Sequence, residues 1–115
     1  MGKLDDKVEA LSVMLTEKLA VKKVDTVLLH AVAKGLGPSL YKNDASKIAA
    51  SDKKELETIK QKFLIKKLGL KDTPKLDEGI QAVIDIFGKS NRNKQRAAFY
   101  YLLVKHFRKG SVYKK

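Results

Sequence analysis

Eight consecutive residues, Ala97-Ala98-Phe99-Tyr100-Tyr101-Leu102-Leu103-Val104, leave no polar face at helical spacing. A helix that is apolar all round has to be enclosed by other elements. Eight residues are far too few to cross a bilayer, so protein must supply that enclosure. The rest of the chain is therefore expected to wrap around this segment.

What is available to wrap it is also helical. Leu4, Val8, Leu11, Leu15 and Leu19 recur at steps of three to four and predict a first helix over about 4–20. Asp25 is placed to cap a second helix, with Val24 and Leu29 set as a hydrophobic staple. Gly35 is expected to end that helix as a left-handed C′ residue. Gly35-Leu36-Gly37-Pro38-Ser39 is the sharpest punctuation in the chain, and Pro38 suits the opening of a short turn. Asp44 is expected to cap a short piece ending at Ala50. Ser51 is then expected to cap a helix over about 52–68, with Leu56, Ile59 and Phe63 on one face and Gly69 as its stop.

Thr73-Pro74 is a start signal, a cap residue followed by proline at the first helical position. Leu76, Ile80, Val83, Ile84 and Phe87 form the stripe of that helix, and Gly88 terminates it. Gly79 inside it costs up to ~1 kcal/mol against alanine, which points to close packing. Ser90 is expected to cap a last helix over about 91–108 that ends at Gly110. No stretch both alternates with period two over four or more residues and is enriched in β-branched side chains, so no sheet is expected. The fold class is all-α: a compact multihelical bundle of about five main helices with short connections. Residues 1–115 are expected to form one domain, with 3–23 and 111–115 as its peripheral or frayed parts.

Composition narrows the chemistry. The chain has no cysteine, which excludes disulfides, thiolate catalysis and cysteine-based zinc sites. Met1-Gly2-Lys3-Leu4-Asp5-Asp6 contains no apolar h-region, so no signal peptide and no membrane association are expected, and a cytoplasmic location is. His30 and His106 have no neighbouring ligands or carboxylate pairs in sequence, so no metal site, catalytic residue or cofactor is expected. Asp5/Asp6 and Asp77/Glu78 lie on periodic helices and read as solvated faces. Gly88-Lys89-Ser90 resembles the tail of a phosphate-binding Walker A loop. That loop needs a glycine five residues earlier and a strand leading in, whereas this chain has Val83 within an amphipathic helix.

Charge is distributed very unevenly. Lys89, Arg92, Lys94, Arg96, Lys105, Arg108, Lys109, Lys114 and Lys115 fall between positions 89 and 115, and no Asp or Glu does. That segment holds +9 of the chain's net +12, whereas residues 71–88 sum to −2. Such a field has a direction and recruits anions. Within it, Lys89, Ser90, Arg92, Lys94 and Arg96 occupy the first turns of the expected last helix, where the dipole disfavours bases. Two explanations compete. An anion could dock there on free amides and these side chains. Alternatively, the bases pair with acids elsewhere, such as Asp77, Glu78 and Asp85. Lys94, Tyr101, Lys105 and Arg108 also share one side of a helical wheel, a basic stripe around an aromatic. Its alternative is an ordinary exposed face with a tyrosine hydroxyl in water.

Two blocks carry a resemblance. One runs Lys34-Gly35-Leu36-Gly37-Pro38-Ser39-Leu40-Tyr41 through Asp44-Ala45-Ser46 and Ser51-Asp52 to Phe63-Leu64-Ile65-Lys66-Lys67-Leu68-Gly69. The other is Gly88-Lys89-Ser90-Asn91-Arg92-Asn93-Lys94-Gln95-Arg96-Ala97-Ala98-Phe99-Tyr100-Tyr101-Leu102-Leu103. From about Val24 to Tyr113 the chain resembles a family of small bacterial proteins catalogued as a domain of unknown function. The resemblance implies an all-helical domain in a bacterial cytoplasm. It supplies no activity, substrate or site residue.

The expected function is a non-enzymatic binding module. Lys89, Ser90, Arg92, Lys94, Arg96, Lys105 and Arg108 would contact a polyanion, nucleic acid before others, weakly and without sequence preference. The alternative is a protein-interaction or self-association module, in which the basic face meets an acidic partner or a second copy.

Overall fold

The computed structural model describes residues 3–17, 24–36, 48, 52–88, 95–110 and 113. Helix α1 spans Lys3–Glu17 and α2 spans Thr26–Leu36. Helix α3, Lys53–Thr58, runs directly into a π-helix, Ile59–Lys67. Helix α4 is Pro74–Phe87 and α5 is Arg96–Phe107. The described residues contain no strand, and the radius of gyration of 13.2 Å is that of a compact chain of this length.

Helix α5 lies at the centre. Ala97, Ala98, Phe99, Tyr101, Leu102, Leu103 and Val104 are all buried, as an all-round apolar helix requires. Helices α1 and α2 pack together and against α5, and α4 packs against α5 as well. Helix α1 lays Val8, Leu11 and Leu15 into the same core as Phe99 and Leu103. Leu19, which the periodicity adds to this stripe, lies outside the described residues.

Tyr101 is fully buried and therefore needs a partner for its hydroxyl. It finds one at the start of α2, where the Asp25 backbone N–H donates to it at 2.8 Å. Asp25 also caps α2, its Oδ1 accepting from the Leu28 N–H at 3.1 Å. Val24 and Leu29 pack into the core on either side of this cap, as the staple pattern predicts. The wheel that puts Tyr101 on a basic exposed stripe is thus corrected: the ring faces the interior, and its hydroxyl ties α5 to α2.

Other boundaries differ from expectation. Helix α2 passes through Gly35 to Leu36, and Gly35 has no left-handed backbone. The cap of α3 is Asp52, whose side chain accepts from the Lys54 N–H at 2.9 Å; Ser51 lies outside the described residues. So do Pro38, Asp44 and Ala50, although Ile48 between them is buried. The predicted straight α-helix over 52–68 is half π-helical. Its buried positions, Ile59, Phe63, Leu64 and Leu68, recur at the wider interval that i→i+5 turns demand. Gly69, at φ +71, then turns the chain out.

Helix α4 keeps its predicted limits, with Thr73 extended at the cap, Pro74 first and Gly88 last. Gly79 is where α4 crosses the end of α5. A Cβ there would lie 2.6 Å from Phe107 Cε2 and 3.0 Å from His106 Cδ2, so the expected close packing is present. Helix α5 starts five residues later than the sequence suggests. Its cap is Gln95, in extended conformation, which removes Ser90 from that role. It ends at Arg108 rather than Gly110, with Arg108 left-handed at φ 56.

Replacing Tyr101 with phenylalanine leaves the half-buried Asp25 N–H without its acceptor. The expected cost is ~1–3 kcal/mol, read as a lower urea midpoint at unchanged slope.

Candidate functional site

The candidate cations fall into three groups. Lys89, Ser90, Arg92 and Lys94 lie outside the described residues. Arg96 is the first residue of α5 and is only 17% exposed at its side chain. Its Nη2 pairs with Glu55 Oε1 of α3 at 2.5 Å, and its Nη1 donates to the Tyr100 hydroxyl at 3.0 Å. Lys105 and Arg108 stand exposed at the far end of α5.

The acid that meets Arg96 is therefore on α3, not among the α4 acids that the charge pattern suggests. Asp77 and Asp85 have neighbours of their own. Asp77 lies 3.5 Å from Lys60 Nζ, which also reaches Asp72 at 3.3 Å. The hydrogen bond that Lys60 donates to Asp72, helped by the charges of Asp72 and Asp77, holds the Lys60 pKa above its ordinary value. Asp85 accepts from Gln81 Nε2 at 3.0 Å. Arg96 acts as a strut between α5 and α3, and Tyr100 beside it stacks on Phe63 with centroids 4.1 Å apart.

Beside that stack lies a cleft of about 280 Å³ between the end of α2 and the π-helix. Lys62, Phe63 and Lys67 form one wall, Leu36 belongs to the other, and Tyr100 and Tyr113 reach in. Lys67 Nζ sits 5.2 Å from the centroid of the Tyr113 ring, within cation–π range. No acidic side chain lines the cleft among the described residues. Burial pushes the Tyr113 phenol up to about 12, with neighbouring Tyr100 adding to the effect. Burial also raises Tyr100, against the Arg96 charge that pulls it down. No sequence pattern marked Lys62, Lys67 or Tyr113; the signal lay in a helix type that an α-helical wheel does not represent.

A second concavity, about 500 Å³, runs between α1 and α2. Val8, Val13 and Val27 give it an apolar floor, and Asp5, Glu9 and His30 border it. Val13 is 49% exposed and Val27 73%, the most exposed large apolar side chains among the described residues. His30 Nε2 lies 3.3 Å from Asp5 Oδ1. His106 is exposed and meets Phe107 edge-on, 4.9 Å between centroids. Among the described residues neither histidine joins a group of three metal-ligating side chains. No helix of the described residues is long and apolar enough to cross a membrane.

Residues 13–111 match the family model described as a protein of unknown function, DUF2853. The chain belongs to that family. The match begins in α1, ahead of the two sequence blocks, and takes in every later helix. No curated protein matches the chain.

Both cleft tyrosines titrate above their ordinary value of about 10. A raised folded-state pKa means the neutral phenol stabilises fully below about 10, and that contribution fades as pH climbs towards about 12. Near-ultraviolet titration of tyrosinate should show a component near 12 that Tyr113→Phe abolishes.

Proposed function

We propose that the protein is a non-enzymatic binding module whose basic C-terminal helix meets a polyanion, nucleic acid before others. The supporting observation is the acid-free segment from 89 to 115, together with the exposure of Lys105 and Arg108 at the end of α5. Exposed lysines and arginines on such a surface neutralise phosphates and release counterions, whatever the sequence beneath them. Lys89, Arg92 and Lys94 belong to the same segment and add to its positive charge, with Ser90 among them in sequence. Arg96 has a different part. Its guanidinium is engaged with Glu55 and Tyr100, so it positions α5 rather than gripping a ligand.

Binding of this kind is weak, indifferent to sequence and sensitive to salt. Fluorescence polarisation with short single-stranded DNA and RNA tests it. Affinity should fall by at least about tenfold between about 50 and about 200 mM salt. Absence of binding at the lower salt, or binding that salt leaves unchanged, overturns the proposal. Arg108→Gly sharpens the test, because Arg108 occupies a left-handed position that glycine prefers. That variant should gain up to ~1 kcal/mol of stability yet bind the oligonucleotide more weakly.

The groove between α1 and α2 favours a second reading, self-association. Its exposed Val13 and Val27, bordered by Asp5 and Glu9, complement a basic face with apolar neighbours. The occupant on this reading is a second copy of the chain, presenting its basic α5 end. Sedimentation at two salt concentrations should then show an oligomer that salt dissociates and Val27→Glu abolishes. A sedimentation coefficient that neither salt nor Val27→Glu changes rejects it.

A further inference from the structure

We propose that the cleft between the end of α2 and the π-helix is a receptor for one phosphate group. The proposal rests on the polyanion reading and gives it a defined seat. It starts from the spacing of Lys62 and Lys67, five residues apart. On an α-helix two such residues point about 140° apart, so they cannot serve one ligand. On a π-helix, whose turns close i→i+5, they share a side. Both line the cleft here, with Phe63 between them. π-Helices are rare and are found frequently at functional sites, where the widened turn re-aims side chains.

The cleft is rich in donors and poor in negative charge. Neither Lys62 nor Lys67 forms an ion pair among the described residues. The Tyr100 hydroxyl accepts from Arg96 Nη1, which leaves its own proton to donate. The Tyr113 hydroxyl has no hydrogen-bond partner among the described residues. Its raised pKa keeps that proton in place far above neutral pH. Two lysines and two tyrosines thus line a space of about 280 Å³. That is several times the ~30 Å³ share of a water molecule, so a hydrated phosphate fits. Val32, Leu36 and Phe63 supply apolar walls, which strengthen the polar contacts made between them. Two cationic groups match a phosphate, which can carry up to about two negative charges, better than a carboxylate.

The source of the phosphate is either a nucleic-acid backbone or a free ion, and one experiment separates them. Tyrosine-ring and lysine side-chain NMR signals are followed during titration with inorganic phosphate, with chloride at equal ionic strength as the control. A second arm uses a short single-stranded oligonucleotide. Phosphate should shift Tyr113 and Lys67 saturably. The double variant Lys62→Gln/Lys67→Gln should bind roughly tenfold more weakly or worse. Tyr113→Phe, which keeps the ring and loses the donor, should weaken binding severalfold. Lys62 and Lys67 are exposed, so thermal melts should show the double variant folded. Unsaturable shifts scattered over many lysines, or a double variant that binds phosphate like the parent, overturn the receptor. An oligonucleotide that binds both proteins alike also overturns it and leaves the polyanion reading standing. Saturable phosphate binding without oligonucleotide binding supports the receptor, with free phosphate as its ligand, and removes the polyanion reading. Oligonucleotide binding that falls with the double variant places a backbone phosphate in the cleft.

Discussion

The 2.8 Å hydrogen bond between the Asp25 amide and the Tyr101 hydroxyl fixes how this bundle is assembled. Helix α5 is wrapped on all sides, and a buried phenol in such a helix has few places to find a partner. The only donors an α-helix leaves open lie in its first turn and at its cap. Tyr101 takes the cap amide of α2, so the start of α2 is pinned against the middle of α5. The direction of α2 then carries Gly35 and Leu36 to one side of the cleft. Two further contacts fix the remaining neighbours of α5. Arg96 at its start holds α3 through Glu55, and Phe107 at its end fills the space that Gly79 leaves on α4.

The same core explains the π-helix. Ile59, Leu64 and Leu68 must all reach the interior, yet they are spaced too widely for one face of an α-helix. Widened turns bring them into line and let Leu68 donate to the Phe63 carbonyl at 2.9 Å. Packing thereby decides a surface property, because the register that buries these residues also places Lys62 and Lys67 side by side. Leu56, Ile59 and Phe63 share a face at the α-helical period, but carrying that period through to Lys67 sets Lys62 and Lys67 on different sides.

The candidate site was legible only in part. The acid-free charge count singles out Lys105 and Arg108, and both are exposed. Arg96 is the first residue of α5 behind an extended Gln95, not a first-turn residue of a helix opening at Asn91. Arg96 does sit against the dipole, and the Glu55 carboxylate compensates it. That partner is 41 residues away in sequence, so charge patterning along one helix had no means of finding it.

Local chemistry in the sequence determined the elements. Apolar spacing gave α1 and α4, the Asp25 cap and its staple gave the start of α2, Thr73-Pro74 and Gly88 gave the ends of α4, and the all-round apolar run gave the central helix. Each of these depends on residues within a few positions of one another, where backbone geometry dominates. Tertiary structure alone decided which acid neutralises Arg96, where the Tyr101 hydroxyl goes and which cations share a cleft. Those outcomes depend on how distant helices must sit to enclose α5 without leaving a buried polar group unpaired. Such a constraint acts on the whole core at once and leaves no mark at any single position.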